Sequence, residues 1–170
     1  MTSNRFLRRL LPLCLWLVVI FSLSTHLGSA TNTTSAISRL MQAVAPDFYV
    51  RLSAAQLDAI DFCVRKTAHF TEYAILAILF FRWYRTCRPR VAHSAAALAW
   101  GSATLYAASD EFHQVFVSGR TPKVGDVMID SAGAFTAMLA AAWIVRRRTQ
   151  SRTAATSSSE PLLGARREEA

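Results

Sequence analysis

The sequence predicts an all-α integral membrane protein, a bundle of about four transmembrane helices with an amphipathic helix in an outer loop. Three observations point there. Of the 170 residues 52% are apolar and only 18% are charged. The apolar residues come in blocks close to the ~20 residues a helix needs to cross a hydrocarbon core of ~30 Å. Arginines cluster beside those blocks, as juxtamembrane residues do. With no water in that core, each segment must satisfy its own backbone groups, which selects helices.

The first span is Phe6 to Leu23, preceded by Arg5, Arg8 and Arg9. A second reading of residues 1–24 is a cleavable signal peptide, with a basic start, an apolar middle and "LGSA" ending at Ala30. Residues 25–65 then form an extracytoplasmic loop. Ile37, Leu40, Met41 and Val44 recur at helical spacing until Pro46 ends the pattern. Ser53 and Gln56 read as a capping box opening another helix, with Leu57, Ile60 and Val64 on its apolar face. That helix is expected on the outer membrane surface or as a small cap over the bundle.

Residues 66–145 form a three-helix region. Its first span follows Lys66, its second covers about Ala95 to Val117, and its third about Val124 to Val145. Small residues four apart, Ala97 with Gly101 and Gly133 with Ala137 and Ala141, suit close helix packing. Residues 146–170 are polar and aperiodic, and read as a disordered cytoplasmic tail. Arginines before the first span, between the second and third, and after the fourth fall on one side if the spans alternate. That side is the cytoplasm by the positive-inside rule, with both ends of the chain there.

The net charge of +8 does not point to nucleic acid. The "RRRTQSR" cluster is short and has no interleaved aromatics. Cys14, Cys63 and Cys87 have neither disulfide nor metal spacing. The informative stretch is "SDEFHQVFVSGRTPKVGDVMID", Ser109 to Asp130, which sets ionisable groups between two apolar blocks. In the expected topology the second span enters from outside with Lys66, His69, Glu72 and Tyr73. The third leaves with Asp110, Glu111, His113 and Gln114, and the fourth begins with Asp126 and Asp130. Arg120 and Lys123 lie on the turn between. All meet at one depth, the outer end of the bundle. A carboxylate in the membrane costs about 2.5–3.5 kcal/mol on insertion scales, so the acids should face one another, the cations or a wet cavity. The plain structural reading is a set of ion pairs, Lys66 with Asp110 or Glu111 and Arg120 with Asp126, that ties the helices together. The functional reading is a ligand site.

Two pieces carry a family resemblance, "RKTAHFTEYAIL" at Arg65–Leu76 and "SDEFHQVFVSGRTPKVGDVMIDSAGA" at Ser109–Ala134. Together they resemble the VanZ-like family of small bacterial membrane proteins. The matching positions are Lys66, His69, Phe70, Tyr73, Asp110, Glu111, Gln114, Gly119, Arg120, Asp126 and Gly133. That family often has Asn where this chain has Asp130. The resemblance covers about Arg65 to Val145 and implies a cell-envelope protein of the bacterial cytoplasmic membrane. The founding member is associated with low-level resistance to the glycopeptide teicoplanin.

The leading expectation is therefore a polar, outward-facing pocket built from Lys66, His69, Tyr73, Asp110, Glu111, Gln114, Arg120 and Asp126. It would bind a membrane lipid headgroup or a lipid-linked envelope precursor. Guanidinium and ammonium groups suit phosphate or carboxylate, and the acids suit hydroxyls and amines. Two rivals use the same residues. A hydrolase or transferase would take Asp110, Glu111 and His69 as acid and base on a lipid-linked substrate, although no nucleophile motif is present. A proton-coupled carrier would use them as a relay, although the spans are few and show no repeat. The sequence names no cofactor and no metal site, and it leaves self-association open.

Overall fold

The structure, a computed structural model, describes residues 2–25, 30–87, 92–117 and 123–168. Among these there are six helices and no strand: α1 (Thr2–Ser24), α2 (Ala30–Val44), α3 (Pro46–Val50), α4 (Ala54–Cys87), α5 (Ala92–Gln114) and α6 (Val124–Glu168).

Local signals in the sequence set several boundaries. Pro46 opens the short α3 at a position where its missing N–H costs nothing. The capping box forms as its residues predict. The Ser53 backbone N–H donates to Gln56 Oε1 at 2.9 Å, and the Gln56 N–H donates back to Ser53 Oγ at 3.3 Å. The helix it opens is not a separate surface element. It runs unbroken into the second apolar segment, giving 34 residues in α4, a length of about 51 Å at ~1.5 Å per residue. No proline or glycine falls between Ala54 and Cys87 to break it. Past the apolar block, α6 likewise continues to Glu168, where the sequence reading expects a structureless tail. Residues 134–160 contain neither glycine nor proline, and a helix already nucleated by packing propagates at little cost.

Helices α4, α5 and α6 pack against one another, and α1 packs on α4 and α5. Side-chain contacts fix their directions. Phe6 meets Trp83 and the Trp16 indole donates to the Glu72 carbonyl, so α1 and α4 run antiparallel. Lys66 meets Asp126 and Phe70 meets Gly133, so α4 and α6 run parallel. The start of α4's apolar run, the end of α5 and the start of α6 therefore share one end of the bundle.

The core is built from small residues. On α5 the buried row is Ala95, Ala99, Ala103 and Ala107. The expected row of Ala97 and Gly101 faces outward instead, and a Cβ on Gly101 would meet nothing within 4 Å. Both rows have the same four-residue spacing, so spacing alone does not choose between them. On α6 the expected row is the packed one. Gly133 is buried, Ala137 and Ala141 pack against the core, and a Cβ on Gly133 would collide with the Phe70 carbonyl oxygen and lie 2.9 Å from its carbon. Small side chains let helix backbones approach where apolar burial offers little drive.

By length and composition, two helices among the described residues suffice to cross a membrane, Phe6–Ser24 and Val124–Ser151. The sequence reading expects four such spans. α4 and α5 fall outside that test because Lys66, Glu72 and Arg82 interrupt one, while Asp110, Glu111 and many weakly apolar alanines dilute the other.

Candidate functional site

The site lies at the shared end of α4, α5 and α6, and each helix presents its polar residues on its packed face. Lys66, His69 and Tyr73 follow one another at i, i+3 and i+7 on α4. On α5 the buried alanine row leads directly into Asp110, Glu111 and Gln114, all buried. On α6, Asp130 precedes Gly133 and Ala134 on the core face and is only 2% exposed. The polar cluster thus continues the helix seams that the alanines begin.

The contacts differ from the expected pairs. Lys66 forms its ion pair with Asp126 rather than with Asp110 or Glu111. Glu111 Oε2 accepts the backbone N–H of Lys123 at 2.8 Å, which ties the end of α5 to the entry of α6. Asp110 Oδ2 accepts from the Ser24 hydroxyl of α1 and from Gln114 Nε2 at 3.2 Å. Register explains the exchange. Lys66 and Asp126 stand at the same height on parallel helices, whereas Asp110 faces the end of α1. The expected Arg120–Asp126 pair lies outside the described residues, as does Arg120 itself.

Deeper in the bundle, His69 Nδ1 and Asp130 Oδ1 face each other at 3.5 Å, too far for a good hydrogen bond. Neither atom has another partner among the described residues, and neither does the hydroxyl of Tyr73, whose side chain is fully buried. The Tyr73 ring lies 6.4 Å from that of Tyr106. Tyr106 turns its own hydroxyl to the Leu17 carbonyl at 2.9 Å and so leaves Tyr73 as the one tyrosine of the pair with an unspent hydroxyl. A buried polar group left unpaired costs about 1–3 kcal/mol, so three such atoms in one place mark the spot where the fold forgoes stability.

The structure thus brings seven of the eight expected site residues, Lys66, His69, Tyr73, Asp110, Glu111, Gln114 and Asp126, to one end of the bundle. His113 points elsewhere, with its ring 4.9 Å from Phe21 of α1. Sequence reasoning missed Ser24 as a member of the site. It belongs to the face of α1 that carries the buried Leu13 and Ile20, and that periodicity was its only signal. It also gave Asp130 too little place beside His69. The Asp61–Arg65 pair at 3.0 Å, one turn apart on α4, was legible from its spacing.

The carboxyl groups Glu72, Asp110, Glu111, Asp126 and Asp130 outnumber the cations described here, and Lys66 already serves Asp126. Such a cluster is suited to hydroxyl and amino groups of a ligand.

The family described as VanZ/LLP1 matches the chain over residues 9–146. That stretch includes α1 from Arg9 onward and every described residue of the site. No curated protein and no solved structure matches the chain. The chain belongs to the VanZ/LLP1 family.

Proposed function

We propose that this member of the VanZ/LLP1 family crosses the bacterial cytoplasmic membrane four times, with both ends in the cytoplasm and the polar cluster at the outer face. There it binds the headgroup of an envelope lipid or of a membrane-anchored precursor, and through it contributes to glycopeptide resistance. The observation that carries this reading is the buried His69–Asp130 contact beside the unspent Tyr73 hydroxyl, none of the three atoms having a hydrogen-bond partner among the described residues, with Asp110, Glu111 and Asp126 at the same end of the bundle. Intramembrane ionisable groups of this kind mark function more often than structure. A ligand that combines a phosphate with hydroxyl or amino groups suits the site best. Arg120 supplies the guanidinium for the phosphate, and the carboxyl groups and Tyr73 take the hydroxyls or amine.

Four spans are supported by the surface of α4 and α5. Ile78, Leu98, Trp100, Leu105 and Phe112 are exposed while Asp61, Asp110, Glu111 and Gln114 are buried. That distribution suits lipid outside the bundle, not water.

The test pairs binding with function. Tyr73→Phe removes only a hydroxyl that has no described partner, so a purely structural role predicts unchanged or slightly raised stability. The proposal predicts well-expressed Tyr73→Phe and Glu111→Gln proteins that lose the co-purifying lipid seen by native mass spectrometry and no longer protect a sensitive host under glycopeptide challenge. Protection retained in both variants returns these residues to a structural role.

A second reading is favoured by one contact. An imidazole with Nδ1 turned to a carboxylate is the arrangement of a positioned general base, and His69 Nδ1 faces Asp130 Oδ1 at 3.5 Å, a spacing that would have to close to hydrogen-bond distance on substrate binding. Turnover of a purified lipid-linked substrate that is lost in His69→Gln separates hydrolysis or transfer from binding.

A further inference from the structure

The other end of the bundle follows a different charge plan. Residues 1–25, 73–109 and 131–159 contain no Asp or Glu at all. They carry Arg9, Arg82, Arg85, Arg146, Arg147 and Arg148 among other arginines. With no carboxylate in these stretches, the guanidinium groups use carbonyls, hydroxyls and rings. Arg9 Nη1 donates to the Arg82 carbonyl and to Thr86 Oγ1, both at 2.9 Å. Arg85 lies 5.9 Å from the centre of the Phe81 ring, and Arg147 lies 4.5 Å from that of Trp143. Arg146 has no ion pair among the described residues.

Arg146 lines a groove of about 490 Å³ where α4, α5 and α6 meet at this end, together with Phe81, Ala96, Ala142, Val145 and Gln150. The volume falls within the ~300–1,000 Å³ usual for small-ligand sites. Its inner wall is apolar, and its mouth carries a guanidinium and an amide. The Phe81 ring that forms one wall is also the ring on which Arg85 stacks. Trp83, against Phe6 of α1, and Trp143, under Arg147, lie toward this end of α4 and α6, as aromatic residues do at a membrane interface.

We propose that this groove is a binding site for one anionic phospholipid. An acyl chain lies against Phe81, Ala96, Ala142 and Val145, and the phosphate is held by Arg146. A guanidinium fork matches phosphate geometry, and the acid-free surroundings leave it no competing carboxylate nearby. The occupant is a lipid and not a soluble phosphate because the apolar wall is contiguous with the cationic mouth. The proposal rests on the membrane-spanning reading and is independent of the polar cluster at the opposite end.

The full chain, reconstituted in nanodiscs of equal phosphatidylglycerol and phosphatidylcholine, is released into native mass spectrometry and its retained lipids are counted. One phosphatidylglycerol should be kept in preference to phosphatidylcholine. Arg146→Gln, which removes the phosphate contact, should lower that retention by roughly fivefold or more. Ala142→Trp, which fills the groove without altering charge, should do the same, and Ala96→Leu replaces it if the tryptophan variant does not fold. The same counts are repeated in a Glu111→Gln background, where the opposite end no longer holds a headgroup, and one phosphatidylglycerol sensitive to Arg146→Gln should remain. The site is overturned if phosphatidylcholine is kept equally well, or if the filled groove still holds phosphatidylglycerol. It is also overturned if Arg148→Gln is as damaging as Arg146→Gln, since the attraction then belongs to the arginine cluster as a whole.

Discussion

Lys66 and Asp126 are each about one-fifth exposed, 21% and 19% at the side chain, and belong to different helices. Their pairing holds the start of α4's apolar run against the entry of α6. Removing one partner leaves the other charge in a poorly solvated place, and removing both does not. Lys66→Met and Asp126→Leu should each lower stability by about 1–3 kcal/mol. The double variant should recover much of the loss, with a coupling of roughly 0.5–3 kcal/mol. Thermal unfolding in detergent measures both, and strictly additive losses would show that the pair does not couple. The same comparison tells a clamp from a binding residue. A clamp regains function along with stability in the double variant, whereas a ligand contact does not.

Between helices, close approach is set by which alanines face inward. The row Ala95, Ala99, Ala103 and Ala107 is buried to within 1% along the length of α5 and joins the polar cluster at Asp110. Enlarging a residue in that row forces neighbouring backbones apart, at a typical cost of about 1–3 kcal/mol. Ala99→Leu should therefore lower the unfolding temperature and reduce the yield of monodisperse protein. Ala97→Leu, two positions away and exposed, should behave as the wild type. If both variants behave alike, the packed face of α5 has been misassigned. Gly133 applies the same logic on α6, where the Phe70 backbone occupies the space a side chain would take.

At the scale of the whole molecule, apolar and polar side chains are inverted relative to a water-soluble bundle. Large apolar residues such as Leu105, Phe112 and Leu139 are exposed, while Asp61, Asp110, Glu111, Gln114 and Asp130 are buried. Charge is divided along the bundle axis, acids at one end and arginines at the other. On the proposed membrane-spanning reading, the positive-inside rule puts the arginine end in the cytoplasm. A reporter fused after Ser151 should read cytoplasmic, and one placed at Asp47 should read exterior. The reverse pair of readings would turn the polar cluster to the cytoplasm and the arginine groove to the outer leaflet.

Local chemistry made several features readable in the sequence. The helical class, the stop at Pro46, the capping box at Ser53 and Gln56, and the convergence of charged residues at one end each follow from signals within a few residues of one another or from helix direction. That Lys66, His69, Tyr73, Asp110, Glu111, Gln114 and Asp126 meet at one end was legible because polar groups in apolar segments are too costly to place at random. What the sequence did not contain was register and rotation. Lys66 has several carboxyl groups within plausible reach, and only the height at which α4 meets α6 selects Asp126. Two rows of small residues with equal spacing, Ala95–Ala99–Ala103–Ala107 and Ala97–Gly101, lie on α5, and only its rotation against α4 and α6 decides which is buried. Ser24 enters the site because α1 packs beside the end of α5, a contact 86 positions apart in the chain. Such choices depend on the summed fit of whole helix faces, and no short stretch of sequence carries that sum.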